Sequence, residues 1–463
     1  MNINDAQSFL HDGGFEYVRF EQTDLHGLTR AKTVPEPHFR RFTENGLNFF
    51  GGLLGLDAQS GVAPDTGYMA ERHFQDHLVR PDLDTLAPIP WLSRTARVLT
   101  EPSWYDGTPA AAAPRFLLRR LLDRLAERGY TLRSGFEYEL YLADAVTREP
   151  VFEGIQIFWA VRNDFDPPFI MRLLEGLRAT GIDIITSNAE YGPGQMEINF
   201  APAMGVAAAD QAFIFKNAVK EMALQGADGR GLEAASRRYM ASFMTKPYVD
   251  QAASGCHFHH SLLARDSGAN AFADATSDDG LSTVTRHWIG GQIEHARALA
   301  ALVAPTVNCA KRYKLWSFAP MNATWGYEDR TVAVRVKGAR GQETHLENRM
   351  PCTASNPYIV AAAILAAGLD GLERQIEPPP PTAGIAYDDE QSTKLPQRLE
   401  ESLDALEADT VLRDYLGEEF MTLFLAVKRF EVDKARAALP EYGSTEWPDI
   451  VTDWERQNLF EYL

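Results

Sequence analysis

The sequence predicts an α+β fold in which a small β-rich unit precedes a large mixed one. Short β-rich runs flank a glycine-containing turn near the start, and strands alternate with helices after about residue 110. In a chain of 463 residues, 45% apolar content supplies a large buried core. The same composition excludes global disorder. The balance of 45 basic against 64 acidic residues gives a net charge of −19. Neither nucleic acid nor an anionic membrane is therefore expected as a partner, because both reward clustered lysine and arginine.

Phe15 to Glu21 and Thr29 to Pro35 surround Asp24-Leu-His-Gly27 and read as a hairpin. The turn-forming cluster from Trp104 to Pro109 closes this part, so the domains are placed at 1–105 and 106–463. Phe116, Leu117, Leu121 and Leu125 then recur at helical spacing up to Gly129. A strand over 132–142, a helix over 169–179, a short strand over 183–185 and a helix over 207–224 follow. Further helical stretches lie at about 283–303, 357–374 and 396–438, the last two separated by the proline run 378–381 and the acidic loop at 388–390. No internal repeat is visible. The uncharged stretch from Met350 to Leu369 contains two prolines and several polar residues, so it reads as a buried helix rather than a membrane span. The first basic residue is Arg19, which does not fit a secretory signal, and a cytoplasmic location is expected. Cys256, Cys309 and Cys352 lack metal-ligand or redox spacing and are expected as buried free thiols.

The chemistry lies in paired charges. Glu137 and Glu139 leave one face of a strand whose intervening residues are apolar, and buried like charges need a cation. Glu190 and Glu197 flank Gly192-Pro193-Gly194, which folds the chain back and brings a second acidic pair together. His257 and His259 again share a face. Such a set favours Mg²⁺ or Mn²⁺ over a structural zinc, although surface acids on a plain hairpin, or satisfied core histidines, would give the same pattern. Lys311, Arg312, Arg330, Arg335, Arg340 and Arg349 cluster within about forty residues, with Glu347 beside Arg349 and Arg330 at the turn before a strand. Arginines near metal carboxylates suit phosphoryl transfer, and a solvated basic face is the plain alternative.

In this order the motifs resemble the glutamine synthetase family over nearly the whole chain. They are Gly-x-Glu-x-Glu at 135–139, Glu-x-Gly-Pro-Gly-Gln-x-Glu at 190–197, Ser-Gly-x-His-x-His at 254–259, Asn-x-x-Lys-Arg at 308–312, the Trp-Gly and arginine pattern at 325–335, and the Glu-x-Arg to Asn-Pro-Tyr segment at 347–358. The resemblance implies a β-grasp N-terminal domain and a catalytic domain with a tapered half-barrel sheet. It also implies a dodecamer with sites between subunits, and ATP-dependent ligation of L-glutamate to an amine through a γ-glutamyl phosphate. Carried over, Glu139, Glu190 and Glu197 would hold one divalent cation, and Glu137, His257 and Glu347 a second. Arg312 and Arg349 would bind glutamate, and His259, Arg330 and Arg335 the ATP phosphates.

The departures from the family pattern cluster around the amine. Gly51 stands where the family has an ammonium-binding aspartate, and Phe318 where its flap carries a glutamate, while Asp76 survives as an acid that could act as base with Glu190. His345 stands where an arginine is frequent, and Ala252-Ala253 where Asn-Gly is usual. Loss of acid and gain of apolar wall point to a small organic amine rather than ammonium, with short alkylamines or an aromatic amine favoured over polyamines. Replacing Phe318 with Glu and Gly51 with Asp is expected to return preference to ammonium. The alternatives are an ammonia-using glutamine synthetase and a non-enzymatic relative. Tyr387, near a position adenylylated in some relatives, reads as a plain surface tyrosine.

Overall fold

The structure is a computed structural model and describes residues 1–226, 238–338 and 341–463. Arg340 of the cationic group lies outside the described residues. Strands β1 (Tyr17–Thr23) and β2 (Thr29–Pro35) form the expected hairpin. They join β3 (Leu47–Phe50), β4 (Asp76–Pro81), β5 (Ala87–Pro88) and β6 (Thr95–Ser103) in the order β2-β1-β6-β4-β3, with β5 on β6. β1 and β6 run parallel at the centre, as in a β-grasp. Val18, Phe20, Phe39, Val79 and Val98 form a core of their own beneath this sheet.

The chain then enters the helix Pro114–Glu127, whose proline sits at the first turn, where its missing N–H costs nothing. The second sheet has nine strands: β7 (Tyr130–Asp144), β8 (Ile184–Ala189), β9 (Gln195–Phe200), β10 (Ala203–Met204), β11 (Tyr239–Ser242), β12 (Cys256–Ala264), β13 (Trp325–Tyr327), β14 (Val334–Lys337) and β15 (His345–Asn348). Its main path is β13-β14-β15-β12-β7-β9-β8, with β10 and β11 also on β7, a curved half-barrel arrangement. The long strand β7 is its spine. Phe136, Tyr138, Leu140, Met196, Ile198 and Phe258 point to one face and are buried, while alternate residues are left on the other. Helices Ala207–Gln225 and Pro357–Arg374 belong to the same large core. Each buried aliphatic side chain there contributes about 1.5–3 kcal/mol.

The helix over Met350 to Leu369 begins at Pro357, with Asn356 as its N-cap. No described helix is long and apolar enough to cross a membrane. Asn356 also ties this helix to the first sheet. Its Nδ2 donates to the Asp24 carbonyl at 2.8 Å and to Thr23 Oγ1 at 3.1 Å. Gly27, at φ +81°, is the turn residue that permits this approach, because an added Cβ would lie 3.3 Å from Asn356 Cα.

The stretch expected as helical over 283–303 is two helices, Thr283–Glu294 and Ala296–Val303, which break at His295. Its imidazole is held on both sides, by Asp409 at 2.6 Å and Asp370 at 2.9 Å. Burial alone would lower the His295 pKa, but the two aspartates outweigh it and raise it. A raised pKa means that the folded chain binds this proton more tightly. The stabilisation is complete below about pH 6.5 and is lost as pH rises through the folded value. His295→Leu is expected to destabilise by about 3 kcal/mol at pH 6 and by clearly less at pH 9. Urea midpoints at the two pH values check this, and an equal loss at both would contradict the charged bridge.

Candidate active site

Register builds the site. On the other face of the second sheet, Glu139 lies directly opposite Glu197, and Glu137 opposite His257. His259 lies opposite Glu347, which lies opposite Arg335. Glu190 joins from the end of β8, where its N–H donates to the Gln195 carbonyl across the Gly-Pro-Gly turn. Two-residue periodicity in four strands thus collects acids from distant parts of the sequence onto one surface.

Two cavities open on this surface, and among the described residues Glu137 alone lines both. One, of about 350 Å³, holds Glu139, Glu190 and Glu197 against Arg312, Arg330 and Arg349. The other, of about 230 Å³, lies on the side of Gly135, Phe136, His259 and His345.

Each acid of the trio is oriented by an amide on a neighbouring residue. Gln195 Nε2 donates to Glu139 at 3.2 Å, Asn188 Nδ2 to Glu190 at 3.2 Å, and Asn199 Nδ2 to Glu197 at 3.0 Å. The Gly255 N–H adds a 2.9 Å bond to Glu139. These donors fix the carboxylates without neutralising them. Burial first, and then the neighbouring carboxylates, push Glu190 up to about 7 and Glu197 up to about 9.

The other half of the cluster behaves in the opposite way. Burial would raise Glu137, yet His257 at 2.7 Å and His259 at 3.2 Å hold it well below the usual carboxylate range. Burial of Glu347 is likewise outweighed by Arg349, with help from His257 and His259, which brings it down to about 2. Among the described residues, Glu137 and Glu347 thus have histidine or arginine partners, whereas the trio has no ion-pair partner. Such a trio fits a hard divalent cation, since buried like charges otherwise stay protonated.

Metal-ligating atoms of Glu137, His259 and Glu347 lie within 4.8 Å of one another. His257, the histidine expected to complete this set, touches Glu137 and comes within 3.4 Å of Glu347, while its Nε2 meets Arg312 at 3.1 Å. Both histidines thus stand beside the second acidic pair.

The cations divide. Arg312 is pinned by the Arg349 carbonyl at 2.9 Å, and Arg349 donates to the Arg330 and Phe318 carbonyls and to Glu347. Gly255 makes room for this, because a Cβ there would lie 2.7 Å from the Arg312 guanidinium. Arg330 is exposed in the bend before β14, and its side chain meets no carboxylate among the described residues. Arg335, expected at the phosphates, lines neither cavity and spans Glu347 at 3.0 Å and Glu328 at 2.9 Å. Lys311 is a correction: it turns away into a buried pair with Glu455 at 2.7 Å, and the Asn308 amide meets the same acid.

Phe318, expected at the amine, lines the 350 Å³ cavity with Ala252 and Ala253. Asp76 and Gly51 lie at the β3–β4 edge of the first sheet and line neither cavity of their own chain. An aspartate does not fit at Gly51 as the chain stands. Its Cβ would sit 2.5 Å from the Gln75 carbonyl, with Trp104 and His77 at 3.3 and 3.4 Å. The double exchange expected to restore ammonium is therefore reduced to Phe318→Glu. Tyr387 is also corrected, since it is buried, donates to the Ala319 carbonyl at 3.1 Å and packs against Trp316, supporting the segment that presents Phe318.

Sequence reasoning passed over Gln195, Asn188 and Asn199, although all three lie in or beside the second acidic motif. It also passed over Ile157, Phe158 and Tyr191, which line the same cavity as Phe318.

Residues 111–446 match the family described as "Glutamine synthetase, catalytic domain". The chain is 33% identical to human lengsin, over 91% of this chain and 81% of that protein. It is 31% identical to the gamma-glutamylethanolamide synthetase of Streptomyces coelicolor, over 100% and 96%. A solved GmaS/ADP complex superposes with a TM-score of 0.82 at 29% identity, covering 98% of this chain and 99% of that one.

The raised acids make a prediction of their own. Near neutral pH Glu197 carries a proton that a cation must displace, so Mg²⁺ or Mn²⁺ binding is expected to release protons and to tighten from pH 6 to 9. Without cation, the folded chain is expected to lose stability over the same range, because its carboxylates hold protons that the unfolded chain has already lost. Calorimetry in buffers of different ionisation heat measures the release, and binding with none would contradict the assignment.

Proposed function

For this chain, which belongs to the glutamine synthetase family, we propose ATP-dependent ligation of the L-glutamate γ-carboxylate to an organic primary amine, by way of a γ-glutamyl phosphate. That it is an ATP-dependent carbon–nitrogen ligase follows from the family. One observation carries the finer reading. Three carboxylates with no ion pair among the described residues share a cavity with Arg312, Arg330 and Arg349, across Glu137 from a second cavity.

On this reading glutamate lies in the 350 Å³ cavity with its α-carboxylate toward Arg312 and Arg349, and ATP enters from the cavity beside His259. Glu139, Glu190 and Glu197 would hold one Mg²⁺ or Mn²⁺, and Glu137 and Glu347 a second with His257 or His259. Cations bound there would neutralise charge on the transferring phosphoryl oxygens. Arg330, whose side chain has no ion pair among the described residues, adds a guanidinium to that charge, and Arg335 keeps Glu347 in place. Glu190 borders the apolar side and takes part in deprotonating the incoming amine. Asp76 would serve as base only from a second copy, which fits a ring-shaped homo-oligomer, proposed as a dodecamer, with the 1–105 domain of one subunit facing the site of the next. A cytoplasmic location agrees with three buried free thiols.

Glu139→Ala or Glu190→Ala is expected to abolish ADP release while the oligomer stays folded by size-exclusion chromatography and circular dichroism. Arg330→Ala is expected to lower kcat by roughly 10³-fold. A change confined to KM for ATP would show that Arg330 binds only the ground state.

The amine is tested by ADP release with glutamate, ATP and a panel of amines that includes ammonium. Each methylene taken from water contributes about 0.8 kcal/mol, so the preferred amine is expected to exceed ammonium by more than about tenfold in kcat/KM. Phe318→Glu is expected to narrow that ratio. Wild-type turnover of ammonium at least as efficient as that of every amine would make the chain an ammonia-using glutamine synthetase.

A further inference from the structure

We propose that Ile157, Phe158, Tyr191 and Phe318 form the wall that receives the apolar body of the amine, and that the best substrate is an aryl or arylalkyl primary amine. This rests on the ligase reading above and names its second substrate class. Three separate segments deliver these side chains to the cavity that holds Glu190 and Arg349. Phe158 is set by its N–H, which donates to the Ala189 carbonyl at 3.0 Å, and buried Gln156 ties the same segment to the Gln195 carbonyl at 2.8 Å. Tyr191 follows Glu190 at the turn between β8 and β9. Phe318 comes from the opposite rim, its carbonyl accepting from Arg349 at 3.0 Å.

The wall is not needed by the core. Phe158, Tyr191 and Phe318 are 66%, 41% and 47% exposed, yet all three border one cavity. Phe158 and Phe318 also hold φ of +53° and +56°, a left-handed backbone that is costly for bulky residues and that the hydrogen bonds above keep in place. Spending strain to turn apolar rings toward a reactive cavity makes sense when a ligand covers them. The Tyr191 and Phe318 rings lie 27° from parallel with centroids 6.1 Å apart, so a third ring can pack against their edges and faces together with Phe158. The four wall residues carry no carboxylate of their own, so the distal ammonium of a diamine gains nothing from them. Ammonium or methylamine would leave the rings in water.

The test is ADP release with glutamate and ATP, first with hydroxylamine, which has no apolar body. Failure with hydroxylamine and with every amine would sink the ligase reading itself. With hydroxylamine turnover in hand, methylamine, isopropylamine, benzylamine, 2-phenylethylamine and putrescine are compared. The kcat/KM for benzylamine or 2-phenylethylamine is expected to exceed that for methylamine by about 30-fold or more, with putrescine below both arylalkylamines. Phe158→Ala and Tyr191→Ala are each expected to cut the benzylamine-to-methylamine ratio by about tenfold. The ratio is taken within each variant, so the amount of active enzyme cancels. Hydroxylamine turnover with a flat or falling series in the wild type, or a ratio unmoved in both variants, would overturn the proposal.

Discussion

Everything at this site depends on one constraint: the sheet gathers more carboxylates on one face than the described residues neutralise. Arg349 and two histidines hold Glu137 and Glu347 ionised, whereas Glu139, Glu190 and Glu197 face one another with amide donors only. An amide orients a carboxylate but does not cancel its charge. Burial and neighbouring carboxylates therefore raise Glu190 and Glu197, and an external cation is what the trio fits.

The rest of the architecture keeps that surface rigid and two-sided. The apolar residues of β7, β9 and β12 are locked into the core, so their alternate positions have no freedom to separate. Glu137 sits where the two cavities meet, so a group bound on one side lies next to a group bound on the other. Arg312 and Arg349 are fixed mainly through backbone carbonyls, so the cationic wall is built before any substrate arrives.

Much of this was legible in the sequence, for physical reasons that differ by residue. Glu137 with Glu139, and His257 with His259, could be placed on one face because side-chain alternation in a strand leaves no choice. The Gly-Pro-Gly turn likewise required Glu190 and Glu197 to approach. Helix ends at Gly129, Gly181 and Gly226 were readable because each adopts a positive φ. What was hidden depended on long-range partners. Lys311 looked like a site cation until Glu455, 144 residues later, proved to hold it. Gly51 read as an open position, yet Gln75, His77 and Trp104 crowd it. Phe158 lies in the run Ile155 to Trp159, which follows neither the strand nor the helix period, so nothing local marked it as a cavity residue.

Binding of two divalent cations to the acidic face is read by anomalous diffraction from crystals soaked in Mn²⁺ and ADP. One manganese peak is expected among Glu139, Glu190 and Glu197, and a second among Glu137, Glu347 and one of the two histidines. Manganese peaks only at other acidic surfaces, or none on this face at saturating Mn²⁺, would contradict it.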